Sequence, residues 1–167
     1  MSAFASLVFG YFFFWTVNED FPPDPSPGPG LVWPLIAMGL VLGAWALTLL
    51  ARRWNRRERP GAFYLGLGLA ALLAVAGALA LMAGPHFSGL DPTRHVYPAT
   101  VWVLVLWAVI HLGIGLVMQL YCIARRLAGL MTPEHDIDIH NVALYWHFMA
   151  VTVVVTVAVI AGFPLLD

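Results

Sequence analysis

The residues able to bind a metal or move a proton are few in this sequence, and most stand near the ends of apolar runs. The 167 residues include six histidines and one cysteine, Cys122. A single thiol can make neither an internal disulfide nor the multi-thiolate sites usual for zinc and iron–sulfur clusters. The densest candidate is the stretch 131–140, where Glu134, His135, Asp136, Asp138 and His140 offer hard and borderline ligands at short spacing. No cysteine and no defined ligand motif accompanies them, and an apolar helix follows. Acids in that position stabilise the free N–H groups and the positive dipole end of a helix. Capping and solvation is therefore the reading for this loop, and no metal ligand is assigned to it.

Two histidines fall within apolar stretches. Haem b clasped between helices needs two histidines at matching depth on facing helices. His111 stands 14 residues before Arg125, about 21 Å at 1.5 Å per residue. His147 stands seven residues after His140, about 10 Å along. The depths then differ by about 10 Å, which favours histidines bonded to neighbouring helices or carbonyls over a haem pair. A membrane b-type cytochrome or quinone-reactive anchor using His111 and His147 is the alternative reading. The first three apolar stretches carry no acid, base or histidine between their ends. A proton pump or ion-coupled transporter ordinarily needs a carboxylate there, so transport is disfavoured. No catalytic residue, cofactor ligand or metal ligand is assigned to the chain.

The elements holding these residues follow from hydropathy. Hydrophobic residues make up 61% of the chain and charged ones 10%, with a mean hydropathy of +0.84, too little polar surface for a water-soluble domain of this length. A spanning helix needs about 20 apolar residues. The apolar stretches are residues 1–17, 31–51, 63–83, 97–124 and 142–166. They predict an all-α, polytopic membrane bundle of about five helices in a single domain, 1–167. The first is the shortest, and it lacks the positive start and small-residue cleavage site of a signal peptide. Pro22, Pro23, Pro25, Pro27 and Pro29 break the chain between the first two spans and favour an extended loop.

The charges set an orientation. There is no lysine, and seven of the eight arginines lie in two clusters: Arg52, Arg53, Arg56, Arg57 and Arg59, then Arg125 and Arg126. With both clusters in the cytoplasm, the positive-inside bias predicts a cytoplasmic N-terminus and a periplasmic C-terminus. The proline loop, the Arg94 loop and Asp167 then face outward. Small residues predict where backbones approach: Gly39 and Gly43 in the second span, Ala70, Ala74 and Ala78 with Gly66 and Gly77 in the third, Gly113 and Gly115 in the fourth.

The run His140-Asn-Val-Ala-Leu-Tyr-Trp-His-Phe148 resembles the last helix of subunit III of haem–copper terminal oxidases. There an aromatic Tyr-Trp-His-Phe block opens the final span, as Tyr145, Trp146, His147 and Phe148 do here. The stretch Phe9-Gly-Tyr-Phe-Phe-Phe-Trp-Thr-Val17, with the acidic, proline-rich loop after it, looks like the family's third helix and outer loop. The resemblance covers nearly the whole chain. It is nearest to the short five-helix form fused behind subunit I in some bacteria, which lacks the two N-terminal helices of the usual seven.

The resemblance implies a cofactor-free accessory subunit of a cytochrome c oxidase in the bacterial inner membrane, part of an aerobic respiratory chain. It would flank subunit I, share a complex with subunit II, bind phospholipid and have no nucleic-acid partner. Haem and copper would belong to the partner subunits. Tyr145, Trp146, His147, Phe148 and Trp15 are the expected lipid or subunit contacts, with Tyr145 and Trp146 at headgroup depth and His147 holding the fifth span against the first. Two family carboxylates are absent. No glutamate stands near Ser6 and Leu7, and Ala150 replaces the aspartate three residues after the block's histidine. Their loss removes the basis for a proton-uptake role.

Overall fold

The computed structural model describes residues 2–23 and 28–162. The middle of the proline loop with Ser26, the end of the predicted fifth span and Asp167 lie outside the described residues, as does Met1. The described chain is all helical: α1 Ser2–Val17, α2 Val32–Arg56, α3 Pro60–Phe87, α4 Val96–Leu127 and α5 Ile137–Val157, with a wide final turn Ala158–Gly162. The last four, α5 with its final turn, are long and apolar enough to cross a membrane. The 16 residues of α1 span about 24 Å, short of a bilayer's hydrocarbon core.

Local chemistry sets the ends. Pro60 starts α3 where its missing N–H costs nothing. His95 caps α4, its ring nitrogen accepting from the Tyr97 N–H at 3.1 Å. Gly129, at φ +72°, turns the chain out of α4 while the Leu130 N–H bonds back to the Arg125 carbonyl at 2.9 Å. The fifth helix starts at Ile137, five residues before the predicted 142. The acids there were expected to lie in a loop, but Asp138 and Ile139 are already helical.

The most extensive contact is between α2 and α3; α5 packs on both α2 and α4, and α1 lies chiefly against α4. Small residues enable this at some of the predicted places. The Trp54 ring fills the space above Gly66, and Val41 presses against Gly77, so a side chain at either would collide with α2. Gly115 admits the Tyr145 and Trp146 rings, which lie 3.2 and 3.3 Å from where its Cβ would be. Gly39 and Gly113 do not take part; both face open space. At one end of the bundle, Phe21 packs between Tyr11 and Tyr97, each ring centroid 5.2 Å away, fastening the loop start onto α1 and α4.

Candidate functional site

At the bundle end holding the arginine clusters, the chain folds its charges together. Arg56 Nε donates to Asp136 Oδ2 at 2.6 Å, with Arg52 Nε 3.5 Å from the same oxygen. Arg125 Nε lies 2.9 Å from Asp138 Oδ2. Arg126 donates to the Met131 carbonyl at 2.7 Å, and Asn55 to the Thr132 carbonyl at 3.3 Å. Partial burial pushes the Asp136 carboxyl up, but the hydrogen bond and charge of Arg56, with Arg52 beside it, outweigh this and hold it below the usual range. The capping reading of the loop holds in part: Asp138 stands in the first turn of α5, at its positive dipole end. Asp136, by contrast, occupies the N-cap of α5 without a side-chain cap bond, because its carboxylate is turned toward α2. Among the described residues, no three His, Cys, Asp or Glu side chains gather into a metal-holding group.

The aromatic block lies deeper than expected. With α5 beginning at Ile137, Tyr145 stands about 12 Å along the helix. Its hydroxyl donates to the His111 carbonyl of α4 at 2.9 Å. Trp146 is 0% exposed and packs against Gly115. A fully covered indole touches neither headgroups nor a partner, so Trp146 is a core residue of the α4–α5 contact and not an interfacial anchor. Phe148 is half-buried against the His111 ring, 6.0 Å between centroids. Trp15, on α1, is half-buried against the core.

His147 alone of the block is exposed. Its partner is not on α1: Trp45 Nε1 of α2 donates to His147 Nδ1 at 3.0 Å, and the rings meet edge to face at 5.6 Å. The same nitrogen is 2.9 Å from the Ala143 carbonyl. One ring nitrogen cannot both accept from the indole and donate to the carbonyl. The indole N–H can only donate, so the bond across helices requires the proton on Nε2. An apolar groove of about 330 Å³, lined by Leu42, Trp45, His147, Ala150, Val151 and Val154 among others, opens beside the pair.

These contacts also overturn the depth argument about haem. The Tyr145–His111 bond and the Phe148–His111 ring contact place His111 level with the aromatic block. The start of α5 at Ile137, three residues before His140, removes about 4.5 Å of the roughly 10 Å difference inferred from loop ends. What separates the two histidines is direction. His147 turns to α2, whereas His111 Nδ1 lies 2.8 Å from the Trp107 carbonyl with its ring on Trp107 and Phe148.

Sequence reading missed a polar contact in mid-bundle. Gln119 Nε2 of α4 donates to Thr48 Oγ1 of α2 at 2.9 Å, and Thr48 donates to the Ala44 carbonyl at 2.8 Å, all buried. Neither residue is ionisable, so a search for charges passes over them. The available signal was a glutamine inside an apolar run, which needs a partner in hydrocarbon.

An all-helical, multi-pass membrane bundle held by polar ties at one end and aromatic packing at mid-depth is the class defined by this geometry. The chain is 25% identical over 164 residues to cytochrome c oxidase subunit 3 of Oenothera berteroana, across 88% of this chain and 60% of that protein. It is 28% identical over 137 residues to cytochrome c oxidase subunit 3 of Squalus acanthias, across 82% of this chain and 51% of that one. The chain thus spans between half and three fifths of the length of these curated relatives. No family profile matches it.

Proposed function

We propose that the chain is a subunit III-like accessory component of a haem–copper oxygen reductase in a bacterial inner membrane, with its N-terminus in the cytoplasm. It flanks the catalytic subunit I, shares the complex with subunit II, binds phospholipid, and carries no haem or copper of its own. The observation that carries this reading is the pair of alignments to subunits of that name, each covering more than four fifths of the chain. The packed aromatic block supports it: Tyr145, Trp146 and Phe148 are spent on holding α5 to α4, a structural use. The two intramembrane histidines turn to different neighbours, which supports a haem-free chain against the b-type cytochrome alternative.

Purification of the native complex and then of the chain by itself provides the test. The complex is expected to show oxidase spectra and oxygen reduction, and the isolated chain no Soret band in a reduced-minus-oxidised spectrum. His147→Leu is expected to shorten the working life of the complex while leaving haem content and initial turnover near normal. A Soret band retained by the isolated chain, and lost on His147→Ala, would establish the cytochrome reading instead. Immediate loss of turnover in a haem-replete His147→Leu complex would give the chain a direct catalytic part.

A further inference from the structure

Of the eight arginines, five have partners: Arg52 and Arg56 on Asp136, Arg94 on Asp91, Arg125 on Asp138 and Arg126 on a carbonyl. Arg53, Arg57 and Arg59 are exposed, and among the described residues none has an ion-pair or hydrogen-bonding partner for its side chain. Arg53 stands in the last turn of α2, and Arg57 and Arg59 lie in the tight turn joining α2 to α3 with the exposed Glu58 between them. That turn is fixed. The Arg57 N–H bonds the Arg53 carbonyl at 3.1 Å, and the Arg59 N–H bonds the Trp54 carbonyl at 3.0 Å.

Helical spacing says where two of these cations lie. The buried face of α2 is Ala37, Val41, Ala44, Thr48, Ala51 and Asn55. At 100° per residue, Arg53 and Arg57 fall about 160° and 200° from Asn55, on the side away from the bundle. Leu35, Gly39, Ala46 and Leu50, all exposed, lie on the same side. From Leu35 to Arg57 the helix rises about 33 Å, close to the roughly 30 Å of a hydrocarbon core. An outward apolar stripe, about 22 Å from Leu35 to Leu50, therefore ends in guanidinium groups that have no ion-pair partner among the described residues.

We propose that the α2–α3 turn is a binding site for an anionic phospholipid, its phosphodiester held by Arg53, Arg57 and Arg59 and an acyl chain lying along the outer stripe of α2. Guanidinium forks match phosphate oxygens bidentately, and a juxtamembrane basic cluster attracts anionic headgroups. A free phosphate would engage the cations and leave the stripe bare. An acidic protein segment would do the same, whereas a phospholipid supplies both chemistries in one molecule. The proposal rests on the membrane reading of α2 and not on the oxidase assignment.

The test is native mass spectrometry of the full chain in detergent, with phosphatidylglycerol and phosphatidylcholine of identical acyl chains in equal amounts. The wild type is expected to retain phosphatidylglycerol over phosphatidylcholine by about tenfold, falling as salt is raised. Replacing Arg53, Arg57 and Arg59 together by Gln should bring the two lipids level, while Arg94→Gln should keep the preference. Should the triple variant fail to fold, Arg57→Gln against Arg57→Lys repeats the comparison, with the lysine keeping most of the selectivity. Equal retention by the wild type, or an undiminished preference in the Gln variants, overturns the proposal. So does a triple variant that keeps its lipid preference but loses a copurifying protein, which would make the turn a protein-docking site.

Discussion

The bond between Trp45 and His147 can be measured by a double-mutant cycle with Trp45→Phe and His147→Leu. The donor–acceptor distance is 3.0 Å, within ordinary hydrogen-bond range. Hydrogen bonds between membrane helices give coupling energies averaging about 0.6 kcal/mol and reaching about 1.7. Two features put this one in the lower part of that range. His147 is exposed at the groove, and its Nδ1 is also 2.9 Å from the Ala143 carbonyl, which competes for the same nitrogen. A coupling of about 0.6 kcal/mol is expected, roughly a threefold change in the unfolding equilibrium. The assay is reversible unfolding in mixed micelles as a denaturing detergent is titrated. His147→Leu combined with Tyr11→Phe on α1 serves as the control and should be additive, since α5 is tied here to α2. Zero coupling with Trp45 would show that Nδ1 donates to Ala143 instead. Non-additivity with Tyr11 would return His147 to the first span.

Gly115→Leu should destabilise the bundle by about 1–3 kcal/mol through overpacking against Tyr145 and Trp146, while Gly113→Leu, facing open space, should be near neutral; equal effects would contradict the packing. The folded state holds Asp136 below its ordinary value of 3.8, so its contribution is complete above that pH and fades as pH falls further. Asp136→Asn should therefore be less stable than wild type near neutrality, with the two unfolding curves converging in acid; a constant gap down to the lowest pH would count against the ion pair. Cysteine introduced at Ser26 should label from the periplasm, and labelling only from the cytoplasm would reverse the orientation.

Hydropathy alone determined the all-helical class and the approximate place of the four helices long enough to span a membrane, because a helix in lipid must satisfy its own backbone and be apolar for most of its length. The first predicted span is a helix too short to be one of them. The aromatic Tyr145–Phe148 run carries the resemblance to subunit III, and the two curated relatives that the chain matches at 25% and 28% identity bear that name. Partner choice was decided only by the tertiary structure. Asp136 looks like a capping acid in one dimension, but the fold brings Arg52 and Arg56 within reach and its carboxylate turns to them instead. Asp138 keeps its place in the first turn of α5 and gains Arg125 as a partner. The depth of His147 is not legible in the sequence, because the polar residues from Ile137 onward that read as loop are the first turn of α5. Which residues of the block face inward was also beyond the sequence. A 100° step per residue puts Trp146 against Gly115 and turns His147 out toward Trp45, and that rotation is set by the packing of α5 between α2 and α4.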